Sequence, residues 1–194
     1  PARKQNAWGD SGGAKSKSKS PPKQKQSRRR DLARPSGGGG GGQRIELAQL
    51  AARLGEPALH ILHAPDGEYA TSIRLLGARI QEFSANLGYR AFIISSPEPL
   101  TGKTTAAINL ALALAEDTHR KVALIEANFR FPRLASILGL PEAQGVLPVL
   151  EGRARVADAG IRVSDRNLVL LPTGGRHATP AEVLASPRFK ALLT

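Results

Sequence analysis

Apolar side chains recur at steps of three and four along GEYATSIRLLGARIQEFSANLG, residues 67–88. This spacing places them on one side of an amphipathic helix, and Gly88 is the kind of residue that commonly ends a helix. A shorter segment with helical spacing, residues 45–54, is followed by Gly55. The longer pattern predicts a helix over 67–87 with this apolar stripe: Tyr69, Ile73, Leu76, Ile80, Phe83 and Leu87.

Three short apolar runs have the length and composition of buried strands. They are RAFIISS at 90–96, KVALIEA at 121–127 and NLVLLP at 167–172. Helical segments lie between and after them, chiefly KTTAAINLALALAED and a last one that begins at Ser186 and Pro187, a typical N-cap and first-turn pair. Strands that alternate with helices predict an α/β fold, with a parallel sheet of about three strands and helices on both faces.

The first 43 residues differ in composition from the rest of the chain. They are poor in aliphatic residues and rich in Lys, Ser, Gly, Pro and Gln, so they cannot bury enough apolar surface to offset their ordering entropy. Residues 1–44 contain twelve basic and two acidic residues, and they carry +10 of the chain's net charge of +12. We expect a disordered basic arm over 1–43, a short helix and linker over 44–63, and a folded domain over 64–194.

This basic arm has two interpretations. It is either a solvated tail or a tether that binds an anionic partner such as membrane lipid, nucleic acid or an acidic polymer. Because the charge is concentrated in the arm, the high isoelectric point does not indicate a basic face on the folded domain.

The chain contains no Cys, and no apolar run reaches the roughly 18 residues that cross a bilayer. Its four histidines are scattered, without acidic partners at metal-ligand spacing. The absence of Cys fits a reducing compartment, and without an apolar run long enough to span a bilayer we expect a cytoplasmic protein.

The segment SSPEPLTGKTT, residues 95–105, leads from the first predicted strand into a helix. It ends like the phosphate-binding pattern G-x-x-x-x-G-K-[ST], with Pro97 in place of the first glycine. A helix N-terminus directs free N–H groups and the positive end of the helix dipole at an anion. Gly102 would let the backbone approach a phosphate, Lys103 would reach the β- and γ-phosphates, and Thr104 would bind Mg²⁺. The alternative is an ordinary strand-to-helix turn.

Five segments, in this order, resemble the P-loop domain of the bacterial tyrosine kinases of capsule and exopolysaccharide export, which fall within the deviant-Walker ATPase class. EYATSIR is similar to their E-x-x-R-x-x-R helix, and FIISSPEPLTGKTTAAINLALALA to their Walker A strand, loop and helix. VALIEANFRFPRLASILGL is similar to their second acidic motif, GVLPVLEG to their G-x-x-x-x-L-x-G segment, and NLVLLPTGGRHATPAEVLASPRFKALL to the strand and helices that follow. That family commonly lacks the first glycine and has proline at the position of Pro99.

The resemblance implies a P-loop NTPase-like domain that binds ATP or ADP with Mg²⁺. The nucleotide-binding residues that it implies are Pro99, Leu100, Thr101, Gly102, Lys103, Thr104 and Thr105. It implies that Lys103 and Glu126 are catalytic, and that Thr104, Glu126 and Asn128 bind the metal. It also implies a membrane chain-length regulator, or copolymerase, as the partner, homo-oligomerisation through the 67–87 helix, and a place at the periphery of the inner membrane.

The sequence departs from the family pattern at several positions. Thr71 stands where the E-x-x-R-x-x-R helix has its first arginine, and Leu100 where the loop has a small residue. Glu126 and Asn128 replace the two aspartates of the second acidic motif. An active ATP-dependent tyrosine kinase or ATPase and a degenerate regulatory relative both stay open, and these departures favour the second.

The family's Walker B strand, which ends in aspartate, would follow the segment that closes at Thr194. We expect it either from a longer protein, which we favour, or from a partner. A chain without that strand is expected to expose an apolar sheet edge and to aggregate.

Two other classes of function stay open. The first is a partition or positioning ATPase, whose basic arm would hold DNA or anionic membrane. Its loop pattern is K-G-G-x-G-K-[ST], and here Glu98 stands in place of the extra lysine. The second is an interaction protein in which the loop is a relic and the arm does the binding.

Overall fold

The computed structural model describes residues 42–53, 59–138 and 144–193. The predicted basic arm lies outside these residues except for its last two. The described residues form these helices and strands: β1 Arg44–Ile45, α1 Leu47–Arg53, α2 His60–His63, α3 Glu68–Leu87, α4 Lys103–Leu114, β2 Val122–Ile125, α5 Leu134–Leu138, α6 Val146–Leu150, α7 Val156–Ala159, β3 Ile161–Val163, β4 Leu168–Leu171, α8 Pro180–Ala185 and α9 Pro187–Leu192.

Four strands of the described residues form one sheet in the order β1-β3-β4-β2. β2 pairs with β4 in parallel, from Val122 opposite Leu168 to Ile125 opposite Leu171. β1 is parallel to β3, whereas β3 and β4 are antiparallel. The predicted α/β fold with a parallel-rich sheet is therefore confirmed. The antiparallel pair is a local departure, because the turn between β3 and β4 is too short for the crossover that parallel neighbours need.

The prediction of a strand over residues 90–96 is wrong. These residues form no strand, and within the described ranges no backbone hydrogen bond reaches residues 89–95. Their apolar side chains are exposed, with Phe92 at 44%, Ile93 at 93% and Ile94 at 41%. The physical reason is that a strand needs a neighbour to pair with, and no described segment supplies one here. An exposed apolar segment with free backbone groups is prone to pair with another chain.

Substituting Ile93 tests this exposure. We expect the protein to self-associate as its concentration rises, because residues 92–94 offer apolar side chains and unpaired backbone groups together. Ile93→Lys should shift the protein toward the 20.5 kDa monomer in sedimentation velocity, since a charged side chain opposes edge pairing. Val156→Lys is the matched control, because Val156 is 51% exposed but begins a helix. Equal effects of the two substitutions would contradict this prediction.

The predicted apolar stripe on α3 is only partly buried. Ile73 is buried and Ile80 packs against the core beside α4. Leu76, Phe83 and Leu87 are each about half exposed, at 47%, 52% and 56%. The reason is the direction of the packed side: the buried residues of α3 are Ala70, Ile73 and Gly77, and Gly77 faces Leu110 and Leu114 of α4. The larger apolar side chains of the predicted stripe lie beside this contact and not in it.

Two polar contacts fix the position of α4. Asn109, which is fully buried, accepts a hydrogen bond from the backbone N–H of Ile61 at 3.0 Å and donates one to the carbonyl oxygen of Thr105 at 2.8 Å. At the other end, Arg74 of α3 donates to both carboxylate oxygens of Glu116. Hydrogen bonding to Glu116 raises the pKa of Arg74. The helix that follows the candidate phosphate loop is thus tied to α2 and to α3.

No helix within the described parts of the chain combines the length and the apolar character that crossing a membrane requires.

Candidate functional site

The candidate phosphate loop lies at the carboxyl edge of the sheet. α4 packs against β2 and precedes it by a short connection, so the helix and the strand run in opposite directions. The start of α4, Lys103, is therefore on the same side as the end of β2, Ile125. Ligands of open α/β sheets bind beyond the carboxyl ends of the strands, so the loop is where such a ligand would be expected.

Gly102 is the residue that turns the chain into α4. Its φ of 83° and ψ of 8° are left-handed, and its carbonyl oxygen accepts the N–H of Ala106 at 2.8 Å. A side-chain carbon added at Gly102 would meet no atom within 4 Å. The glycine is therefore needed for its backbone conformation, and the space beside it is open to a ligand.

Lys103 folds back over its own loop. Its ammonium donates to the hydroxyl of Ser96 at 2.6 Å and to the carbonyl oxygen of Glu98 at 2.7 Å. A longer contact of 3.4 Å reaches the hydroxyl of Thr101, which lies 2.7 Å from the Ser96 hydroxyl. A cation thus lies at the N-terminus of α4 within reach of three oxygen acceptors of its own loop.

The remaining predicted loop residues differ in their surroundings. Thr104 is half-buried, and its hydroxyl makes no hydrogen bond to the described residues. Thr105 contributes its carbonyl oxygen to Asn109. Pro99 is exposed, and Leu100 is 86% exposed with a φ of 60°. The structure therefore brings Thr101, Gly102, Lys103 and Thr104 together, with Pro99 and Leu100 on the outer turn.

Glu126, at the end of β2, uses both carboxylate oxygens on backbone groups. Oε1 accepts the N–H groups of Arg133 at 2.6 Å and Leu134 at 2.9 Å, at the start of α5. Oε2 accepts the N–H of Thr173 at 3.3 Å, just beyond β4. No hydrogen bond in the described residues joins Glu126 to the phosphate loop. Its predicted roles as catalyst and metal ligand stay predictions.

Asn128 closes a turn of its own chain. Its Oδ1 accepts the N–H of Phe131 at 3.1 Å, and its Nδ2 donates to the carbonyl oxygen of Phe131 at 2.9 Å. Its predicted role as a metal ligand likewise stays a prediction. In this conformation both side chains accept backbone N–H groups of their own chain.

Sequence reasoning missed two participants of the site. Ser96 accepts the shortest hydrogen bond from Lys103. It is the second of two polar residues that follow the apolar run 91–94, and this position could have indicated its role. Thr173, which is 1% exposed, has no such signal, because its N–H meets Glu126 only after β2 and β4 have paired.

Leu100 is strained by its backbone conformation. A left-handed conformation costs a residue with a side chain about 1–2 kcal/mol, and glycine gives back about 0.5–1 kcal/mol of that gain through unfolded-state entropy. Leu100→Gly is therefore expected to raise the free energy of unfolding by about 0.5–1 kcal/mol in a urea titration. The exposed side chain contributes little packing to lose.

Leu75→Gly is the control for this prediction. Leu75 is 63% exposed inside α3, where glycine is expected to lower the free energy of unfolding by about 1 kcal/mol. Opposite signs for the two substitutions are the expected result. A loss of stability at Leu100 equal to that at Leu75 would contradict the loop conformation.

Sequence comparison places this chain beside bacterial tyrosine kinases. Tyrosine-protein kinase Wzc of Salmonella typhimurium strain LT2 is 30% identical over 101 residues, which are 52% of this chain and 14% of that protein. Tyrosine-protein kinase YwqD of Bacillus subtilis is 30% identical over 119 residues, which are 61% of this chain and 50% of that protein. Antiactivator FleN of Pseudomonas aeruginosa is 36% identical over 80 residues, 41% of this chain and 25% of that protein. No protein-family profile matches the chain.

Two solved structures share the fold. The chimerical protein CapA2B2 superposes with a TM-score of 0.63 over 77% of this chain and 62% of its own, at 23% identity. The kinase domain of VpsO superposes with a TM-score of 0.54 over 63% of this chain and 61% of its own, at 28% identity.

Together, the fold and these sequence matches define the class: the chain is a relative of the bacterial tyrosine-kinase domain. The match spans at most half the length of the two tyrosine kinases compared above. What the whole kinases do is therefore taken up as a proposal for this chain.

Proposed function

We propose that this chain binds a nucleoside di- or triphosphate, ADP or ATP, through residues 99–105. The observation that carries the proposal is the Lys103 ammonium, held within 2.7 Å of two loop oxygens at the start of α4. A cation, a left-handed glycine and a helix N-terminus act on the same point, and each favours a phosphate. The tyrosine-kinase relatives support this assignment.

On binding, phosphate oxygens would take over the Lys103 ammonium from Ser96 and Glu98. The N–H groups of the first turn of α4 would donate to the same phosphates, because they have no partner inside the helix. Thr104 has a free hydroxyl in this turn and is the residue that would hold Mg²⁺, which would offset phosphate charge. The exposed Leu100 and Pro99 would cover the outer side of the loop.

We propose a nucleotide-responsive regulator rather than an efficient phosphotransferase. The alternative is an active tyrosine kinase or ATPase that uses Lys103 and Glu126. That activity would require Glu126 to give up its contacts with Arg133, Leu134 and Thr173. The regulatory function needs only the loop in the conformation described above.

The setting that we propose is exopolysaccharide or capsule biosynthesis and export, at the cytoplasmic side of the inner membrane. The tyrosine-kinase relatives support it, and the proposed partner is a membrane copolymerase that controls chain length. Homo-oligomerisation through α3 is a further proposal. Arg74, which that assembly would use, is here paired with Glu116 of the same chain, so assembly would compete with this contact.

A second candidate function is a partition or positioning ATPase. The 36% identity to FleN over 80 residues favours it, and Glu98 in the loop disfavours it. The two are separated by adding duplex DNA to the ATP-loaded protein. Nucleotide-dependent DNA binding that falls steeply between 50 and 200 mM salt would favour the partition ATPase.

Isothermal titration of the protein with ADP in the presence of MgCl₂ tests the proposed function. We expect saturable binding in the micromolar range, about −8 kcal/mol, that excess ATP displaces. No heat of binding up to millimolar ADP would refute the proposal.

A further inference from the structure

The Glu126 carboxylate joins two segments that are far apart in the sequence. Arg133 and Leu134 donate to one of its oxygens and Thr173 donates to the other. The N–H groups of Arg133 and Leu134 lie at the start of α5, and that of Thr173 lies just after β4. The backbone N–H of Glu126 itself donates to the carbonyl oxygen of Leu171 at 2.9 Å. Glu126 therefore connects the end of β2 to both neighbouring segments.

Each of these N–H groups needs an acceptor. The first N–H groups of a helix have no partner within it, and an ionised carboxylate near them is favoured by the helix dipole. Thr173 is 1% exposed, so its N–H is poorly placed to use water, and an unpaired buried donor is costly. One carboxylate satisfies all three groups, which gives an acidic residue a structural role at this position.

The side-chain length also fits this role. Aspartate, one methylene shorter, would lose about 1.3 Å of reach. The Thr173 contact is already 3.3 Å long, so from the same backbone position an aspartate that kept the contacts at the start of α5 would lengthen it beyond a hydrogen bond. Asn128, the other predicted metal ligand, is closed on Phe131. The glutamate thus suits a connection between backbone segments better than it suits a metal site.

We infer that Glu126 is a positioning residue that fastens the ends of β2 and β4 to the start of α5, and that it does not coordinate Mg²⁺. This inference rests on the proposed function only where the nucleotide is concerned. The contacts themselves exist without a ligand. The Mg²⁺ dependence of nucleotide binding would then come from Thr104 of the loop, and Glu126 would hold the adjacent edge of the sheet.

The test compares Glu126→Gln, Glu126→Ala and Glu126→Asp with the wild type, by amide hydrogen exchange followed by NMR. Glu182→Gln is the matched control, because Glu182 is an exposed glutamate in the first turn of α8 whose side chain accepts its one hydrogen bond among the described residues from the Thr179 hydroxyl. We expect the Thr173 amide to exchange at least about tenfold faster in all three Glu126 variants. The Arg133 and Leu134 amides should accelerate most in Glu126→Ala. Glu182→Gln should change none of them.

A second measurement tests whether Glu126 contributes to the Mg²⁺ dependence of ADP binding. The ADP dissociation constant is measured with MgCl₂ and with EDTA, and the ratio of the two is compared between wild type and Glu126→Gln. We expect the ratio to agree within about threefold. A ratio that collapses to one in Glu126→Gln, with unchanged amide exchange, would overturn the inference and make Glu126 a metal ligand.

The aspartate variant adds an independent outcome. The Thr173 amide should be less protected from hydrogen exchange in Glu126→Asp than in the wild type. ADP binding by this variant should gain no Mg²⁺ dependence. A gain in Mg²⁺ dependence with full protection at Thr173 would overturn the inference. If the wild type binds no ADP at all, the proposed function fails, whereas the amide exchange rates still decide whether Glu126 holds these segments together.

Discussion

Replacing Lys103 with alanine is expected to weaken ADP binding about 10- to 100-fold. The ammonium would make charge-assisted hydrogen bonds to the phosphates, and each such bond is worth about 1.5–3 kcal/mol, which corresponds to this range of affinity. The melting temperature should change little, because the present contacts of Lys103 are to Ser96 and Glu98 of an exposed loop. Isothermal titration and a thermal melt measure the two effects.

Lys121→Ala is the matched control for this substitution. Lys121 is an exposed lysine just before β2. Its substitution by alanine removes the same charge from the folded domain. It should leave the ADP affinity within about twofold, since a charge separated from the ligand by more than a Debye length is screened. Equal losses in the two variants would mean that net charge, and not the loop, controls nucleotide affinity.

Gly145→Ala is expected to destabilise the fold by about 2–6 kcal/mol. Gly145 is buried with a φ of 137° and a ψ of −159°, a conformation that is essentially restricted to glycine. An added side-chain carbon would overlap the carbonyl oxygen of Pro172 and the nitrogen of Gly174, and it would lie 2.7 Å from the carbonyl carbon of Thr173. Strain and overpacking add, at about 1–3 kcal/mol each. Urea unfolding followed by circular dichroism measures the loss.

Gly152→Ala separates these two causes. Gly152 has a φ of 76°, and a side-chain carbon added there would meet nothing within 4 Å. It should therefore cost about 1 kcal/mol, from backbone strain alone. If Gly145→Ala costs no more than Gly152→Ala, then the close approach of residues 145 and 172–174 is not as described.

The helices that position the loop could be predicted from the sequence because their determinants are local. The spacing of apolar residues defined α3, and Gly88 at a φ of 72° ends it. Ser186 caps α9 by accepting the N–H of Phe189, as its place before Pro187 suggested. The turn into α4 was also predictable, because Gly102, the glycine of the phosphate-loop pattern, directly precedes Lys103, the first residue of α4.

The strands were harder to predict because pairing depends on distant segments. Residues 90–96 have the composition of a buried strand, yet they find no neighbour among the described residues. β1 and β3 were missed because each is only two or three residues long. Their pairing, Ile45 opposite Val163, joins positions far apart in the chain.

The contacts of the acidic residues were the least predictable part of the candidate site. The resemblance implied metal-binding and catalytic roles for Glu126. Its contact with Thr173 spans 47 positions and exists only because β2 and β4 lie side by side. A sequence pattern indicates which residue types are present, and the pairing of strands decides which N–H groups compete for their oxygens.

We propose above that the loop at the start of α4 holds a nucleotide phosphate. The most direct measurement is an ADP titration of the isotopically labelled protein, followed by amide chemical shifts. We predict that the largest shifts fall in residues 96–105, with the amides of Gly102, Lys103 and Thr104 saturating together. Saturation with the largest shifts elsewhere, or no shift in the loop at millimolar ADP, would contradict the account.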